Sequence, residues 1–145
     1  MAKQWCGILA LCIMIAVILT GLYDISLYSA TAAGIYLAGC IVSLIAFVYL
    51  YCTKCPVRKQ CIHVVMGLLT RVMPDRPAEP YTRWEHISVF TFYGFVLLFP
   101  QYWLIREPAL MVVFWLLFIG NITLTHYTCC KRCGNTYCKL RHGEP

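Results

Sequence analysis

Residues 4–23 read QWCGILALCIMIAVILTGLY, 20 positions without a charge. At a rise of about 1.5 Å per residue, a helix of this length covers the roughly 30 Å hydrocarbon core of a bilayer. The stretch therefore predicts a membrane-spanning helix. Lys3 just before it gives it the look of a signal peptide, yet no small-residue cleavage motif follows closely, so the helix is expected to be retained.

Three further stretches pass the same length test, giving spans at about 5–23, 32–52, 86–105 and 109–127. The expected fold class is an all-α integral membrane protein, one four-helix transmembrane domain over 1–145. Composition agrees: 61% of residues are hydrophobic and 12% charged, against roughly a quarter charged in a soluble domain. Most of the chain must then lie in lipid, and any chemistry must sit in the bundle or its short loops.

Spans one and two are joined by a short turn around Asp24 to Ala30, and spans three and four by Arg106-Glu107-Pro108, which predicts two helical hairpins. Between the hairpins lies a hydrophilic loop, 53–85, and a tail, 128–145, follows the fourth span. Basic residues resist translocation, so their placement sets orientation. Lys3, Lys54, Arg58, Lys59, Arg71, Arg76, Arg83, Lys131, Arg132, Lys139 and Arg141 fall on one side and only Arg106 on the other, eleven of the 12 against one. Both termini, the loop and the tail are accordingly expected in the cytoplasm. Tyr81 and Trp84, Tyr102 and Trp103, and Tyr49, Tyr51 and Tyr127 mark the expected membrane interfaces. The net charge of +6 contains no basic run interleaved with aromatics, which excludes nucleic acid as a partner.

Within the loop, Cys61 to Met73 reads CIHVVMGLLTRVM, apolar enough to lie in the headgroup plane and too short to cross, which predicts an interfacial helix. The following PDRPAEPYTRWE carries Pro74, Pro77 and Pro80, which forbid helix and extend the chain back towards the membrane. Span two opens with Ala30, Ala32, Ala33 and Gly34 and continues with Ala38 and Gly39, small residues that let a neighbouring backbone approach. No lysine, arginine, aspartate or glutamate falls clearly within a span, which argues against an ion-coupled transporter. Asn121 is expected to bond to a neighbouring helix, and Pro100 to kink span three or loosen its outer end.

The chain holds 10 cysteines. Cys6, Cys12 and Cys40 lie inside spans; the other seven fall in two short segments, YCTKCPVRKQCIH and TCCKRCGNTYCKLRH, each directly after a span that exits on the basic side. The segments resemble one another, Cys52-x2-Cys55-x5-Cys61 with His63 against Cys130-x2-Cys133-x4-Cys138 with His142. A twofold repeat of hairpin plus cysteine segment would bring the two together beneath the bundle. Two residues between a pair of thiolates let one tight turn aim both sulfurs at one metal centre. Flanking Lys54, Arg58, Lys59, Lys131, Arg132 and Lys139 are expected to lower thiolate pKa values and to offset the charge of a thiolate-ligated centre.

Zinc takes four ligands, and each segment offers three cysteines and a histidine. An iron-sulfur cubane takes four thiolates, and Cys52, Cys55, Cys61, Cys129, Cys130, Cys133 and Cys138, with Cys6 as an eighth, suffice for two. His63 and His142 are possible additional ligands. A 4Fe-4S cluster is favoured because a centre at the bilayer face has a use in passing electrons. Cys55-Pro56 matches the Cys-Pro that closes bacterial ferredoxin motifs, but the C-x2-C-x2-C-x3-C run before it is absent, so no family follows. Palmitoylated or unliganded thiols are the plainer alternative. His86 and His126 at the edge of spans three and four are better read as interfacial residues than as haem ligands.

The expected function is that of a membrane subunit of a redox complex. It would hold iron-sulfur clusters at the cytoplasmic face and relay electrons between a soluble partner docked on the basic loop and a membrane acceptor such as quinone or haem. That is a non-catalytic electron-transfer subunit of an oxidoreductase, with no hydrolytic triad or phosphate loop in view. The alternatives are a zinc-stabilised membrane scaffold and a thiolate-based heavy-metal carrier, for which Cys12 and Cys40 would mark a route through the bundle.

Overall fold

The computed structural model describes residues 2–57, 61, 63–74, 76–135, 137 and 138. Every regular element among them is helical. A backbone in lipid has no water to bond, and a helix satisfies its own amide groups. Helix α1 covers Ala2–Tyr28, α2 Ala30–Phe47, α3 Val64–Val72, α4 Arg83–Leu98, α5 Gln101–Leu104 and α6 Pro108–Leu124. Four continuous stretches, Trp5–Tyr28, Ala30–Cys52, Arg83–Leu104 and Pro108–Cys129, are long and apolar enough to cross a membrane. Large apolar side chains such as Val42, Phe90, Leu98 and Leu116 stand two-thirds or more exposed around the outside. A surface of this kind suits a multi-pass membrane protein.

The first span runs further than its hydropathy predicts. Asp24 interrupts the apolar pattern, but nothing in LYDISLY breaks a helix, so α1 continues to Tyr28. The expected turn from Asp24 to Ala30 shrinks to one residue, Ser29, whose extended backbone (φ −157°, ψ 112°) reverses the chain. The Ser29 hydroxyl accepts from the Ala32 amide at 3.2 Å and caps α2. Asp24 is thereby fully buried inside a span, and its carboxyl has no hydrogen-bond partner among the described residues. This corrects the expectation that no ionisable group lies within a span.

Helix α1 packs on both α6 and α2, and α2 packs on α4. Polar contacts join these pairs at depth. Asn121 of α6 donates from its amide to the Ala10 carbonyl of α1, as the sequence suggested. The Tyr36 hydroxyl of α2 donates to the Val96 carbonyl of α4 at 3.2 Å. Of the small residues in α2, Gly39 has a packing role, since a side chain there would run into the Phe95 ring; Gly34 has open space around it. At Pro100 the third span breaks into α4 and α5, with the Trp103 and Leu104 amides bonding back to the Pro100 carbonyl at 3.1 and 3.0 Å.

The two ends of the bundle differ. At one, Tyr28 donates to Glu107 at 3.1 Å and Arg106 lies over the rings of Tyr28 and Tyr102. At the other, Glu85 on the first turn of α4 is buried, and it accepts from Lys54 Nζ at 3.1 and 3.2 Å, from Arg76 Nη2 at 3.1 Å and from the Thr82 amide at 2.6 Å. Lys54 also donates to the Pro80 carbonyl, and Arg76 to the Leu50 carbonyl. Two of the basic residues counted in the loop are thus spent on one internal carboxylate. Glu85→Leu leaves two cations without their partner and is expected to cost about 3–5 kcal/mol. The triple replacement Lys54→Met, Arg76→Met and Glu85→Leu recovers most of that loss. Thermal denaturation in detergent measures both; equal losses in the single and triple variants would rule out the cluster as the fastening of the loop.

Candidate functional site

The second and fourth spans end alike. Each widens into a π-helical turn on reaching the cysteines, Val48–Cys52 after α2 and Thr125–Cys129 after α6. In both Cys-x2-Cys pairs the later amide bonds back to the earlier carbonyl, Cys55 to Cys52 at 3.2 Å and Cys133 to Cys130 at 3.1 Å. The two segments therefore share local backbone geometry as well as spacing.

Side chains from the loop and the helix ends bring the segments together. The rings of Tyr51, at the end of the second span, and Tyr81, just before α4, stack 4.1 Å apart and within 5° of parallel. Asn135, beyond the second Cys-x2-Cys pair, donates to the Tyr81 hydroxyl at 2.9 Å. It also accepts from the Tyr137 amide at 3.0 Å, while the Cys138 sulfur lies 3.6 Å from the Tyr51 hydroxyl. A Cβ on Gly134 would stand 3.3 Å from the Val57 side chain of the first segment. None of these contacts is visible in the spacing of cysteines, and Tyr51 and Tyr81, expected at the membrane interface, form the joint between the segments.

The outcome is one cavity of about 190 Å³. Cys52, Cys55, Cys61, Cys129, Cys130, Cys133 and Cys138 all line it, with His63, and α3 closes one side through Met66, Gly67 and Thr70. His142 lies outside the described residues, as do Arg58, Lys59, Lys139 and Arg141. Cys6 and Cys129 are joined to each other as a disulfide, so in this form neither offers a thiolate, and Cys133 packs against them. Six free thiols remain around the cavity. Cys12 is exposed on the outside of α1 and Cys40 is buried in the bundle; neither borders this cavity. His86 sits against Tyr51 and Tyr81, and His126 against Tyr127, both outside the lining.

The electrostatics run opposite to the sequence expectation. Burial pushes the Cys55 thiol up and raises Cys61 and Cys130 to about 11. The same desolvation holds His63 below the usual imidazole range. Of the flanking cations, the two whose side chains are described point elsewhere: Lys54 is turned away to Glu85 and Lys131 lies exposed over the Tyr127 ring. With Cys61 and Cys130 raised to about 11, these thiols stay protonated near neutral pH, and any metal bound through them would have to displace those protons.

Among the described residues, no three His, Cys, Asp or Glu side chains stand close enough together to hold a single metal ion. The chain matches no known protein family, no curated protein and no solved structure. The pairing of cysteines gives a direct chemical count. Protein purified in air, denatured and unreduced, is expected to take up a maleimide at eight cysteines, rising to all 10 after reduction. Uptake at all 10 without reduction would overturn the Cys6–Cys129 bond.

Proposed function

We propose that the chain is a membrane subunit of a redox complex whose thiol cavity holds an iron-sulfur cluster and relays electrons between a soluble partner and a membrane acceptor. The observation that carries this reading is the convergence of seven cysteines from two distant segments on one cavity. A cluster distributes its thiolates around a core of several atoms, which suits sulfurs spread about a cavity. Six free thiols supply one four-cysteine cluster, with His63 alongside; reduction of Cys6–Cys129 raises the number to eight, enough for two.

In this reading the two hairpins hang from the cysteine end, that end faces the cytoplasm, and α3 lies in the headgroup plane above the cavity. The eleven-to-one distribution of basic residues favours that orientation. Arg71 and Arg83, exposed on the loop, and exposed Lys131 offer the soluble partner a basic docking face once Lys54 and Arg76 are discounted. A cytoplasmic placement also puts Cys6–Cys129 in a reducing compartment, where a persistent disulfide is disfavoured.

Anaerobic purification followed by iron, sulfide and zinc analysis tests the proposal. The expected result is about four iron atoms and four acid-labile sulfides per cluster, an EPR signal on reduction, and loss of both in Cys55→Ser and Cys133→Ser. Stoichiometric zinc without sulfide would replace it with the zinc-folded scaffold. Orientation is checked separately: a green fluorescent protein fused at the C-terminus is expected to fluoresce and an alkaline phosphatase fused there to be inactive in a bacterial host. The reverse pair of results would place the thiols outside.

A further inference from the structure

A second cavity, of about 120 Å³, adjoins the first. The two share His63, Met66, Tyr93 and Thr125 in their walls, so those four side chains form the partition between them. Away from the partition the lining is apolar, with Leu11 and Met14 of α1 facing Leu44 and Phe92. The one deeper polar group, Asn121, is already committed to the Ala10 carbonyl. Ile8 and Ile15 line the cavity while standing 40% and 46% exposed on the outer face of α1. The mouth therefore opens onto the apolar belt of the bundle, and a ligand entering there comes from the bilayer and not from water.

The polar groups are gathered at one end only. The Tyr93 hydroxyl, the Thr125 hydroxyl and the His63 imidazole make no side-chain hydrogen bond among the described residues, and Tyr93 lies within electrostatic reach of Cys52 and Cys130. Such a cavity suits a flat ring with hydrogen-bond acceptors at its edge and a long apolar tail. The geometry points to a lipid-soluble quinone as the occupant, its ring oxygen accepting from Tyr93 or His63 against the partition and its tail leaving past Ile8 and Ile15. This rests on the electron-relay reading and supplies its membrane acceptor. If the cysteines of the first cavity hold an iron-sulfur centre, that centre would supply the two electrons, one at a time, and water the two protons that convert the quinone to the quinol. A soluble one-electron donor would then have to re-reduce the centre after each transfer.

Binding is tested on metal-free protein, so that its result is independent of whether a cluster is found. Decylubiquinone titrated into lipid nanodiscs carrying the protein is expected to quench aromatic fluorescence saturably, beyond its effect on nanodiscs carrying an unrelated four-helix protein. Leu11→Phe, which fills the cavity, weakens binding at least about tenfold. Tyr93→Phe removes a single hydroxyl with little change of shape, and weakens binding roughly three- to tenfold, the share of one hydrogen bond. Decanol, which has the tail without the ring, fails to compete. Quenching that does not saturate, equal binding by the wild type and both variants, or full displacement by decanol would each overturn the assignment. Saturable binding, together with anaerobically purified native protein that contains no iron, would leave the quinone site standing and sink the relay.

Discussion

One carboxylate organises the cysteine end of the molecule. Glu85 sits on the first turn of α4 and gathers Lys54 from the end of the second span, Arg76 from the proline-rich loop and the amide of Thr82. Those three attachments fold a loop of some thirty residues back onto the helix ends. Once the loop is fastened, Tyr81 meets Tyr51, Asn135 meets Tyr81, and the second cysteine segment is drawn against the first. The cavity is thus a tertiary product of an ion cluster that itself contains no cysteine. Isolated buried charges are costly and stay buried only when paired. That makes the arrangement all-or-none and the site geometry correspondingly definite.

The spans were legible because bilayer thickness fixes a helix length, and length and charge can be read by counting. Their limits were less so. Asp24 looked like a turn because hydropathy reports polarity, whereas a helix ends only where its hydrogen bonds or its backbone angles fail, and that happens at Ser29. The cysteine segments were legible from spacing, down to the matching Cys-x2-Cys turns. Their meeting was not, since it depends on Tyr51, Tyr81 and Asn135, residue types that occur in any interface and carry no periodic signal. The direction of the thiol pKa shifts was misjudged for a related reason: adjacency in sequence placed lysines beside the cysteines, but burial and the Lys54–Glu85 pair decide where their charge acts.

His63, Met66, Tyr93 and Thr125 belong to both cavities at once. Four side chains thus border a sulfur-rich chamber on one side and an apolar one on the other. Their polar atoms are two hydroxyls and an imidazole that burial keeps from charging readily.

The Cys6–Cys129 bond links positions 123 residues apart, one near the start of the first span and one at the end of the last. A ribosome must finish the fourth helix, and the membrane must receive it antiparallel to the first, before these sulfurs can meet. Wherever the bond forms, it is a covalent record of completed insertion. A chain stalled with three helices in place, or with the last one left outside, carries Cys6 as an unpaired thiol and is chemically distinguishable from the finished molecule.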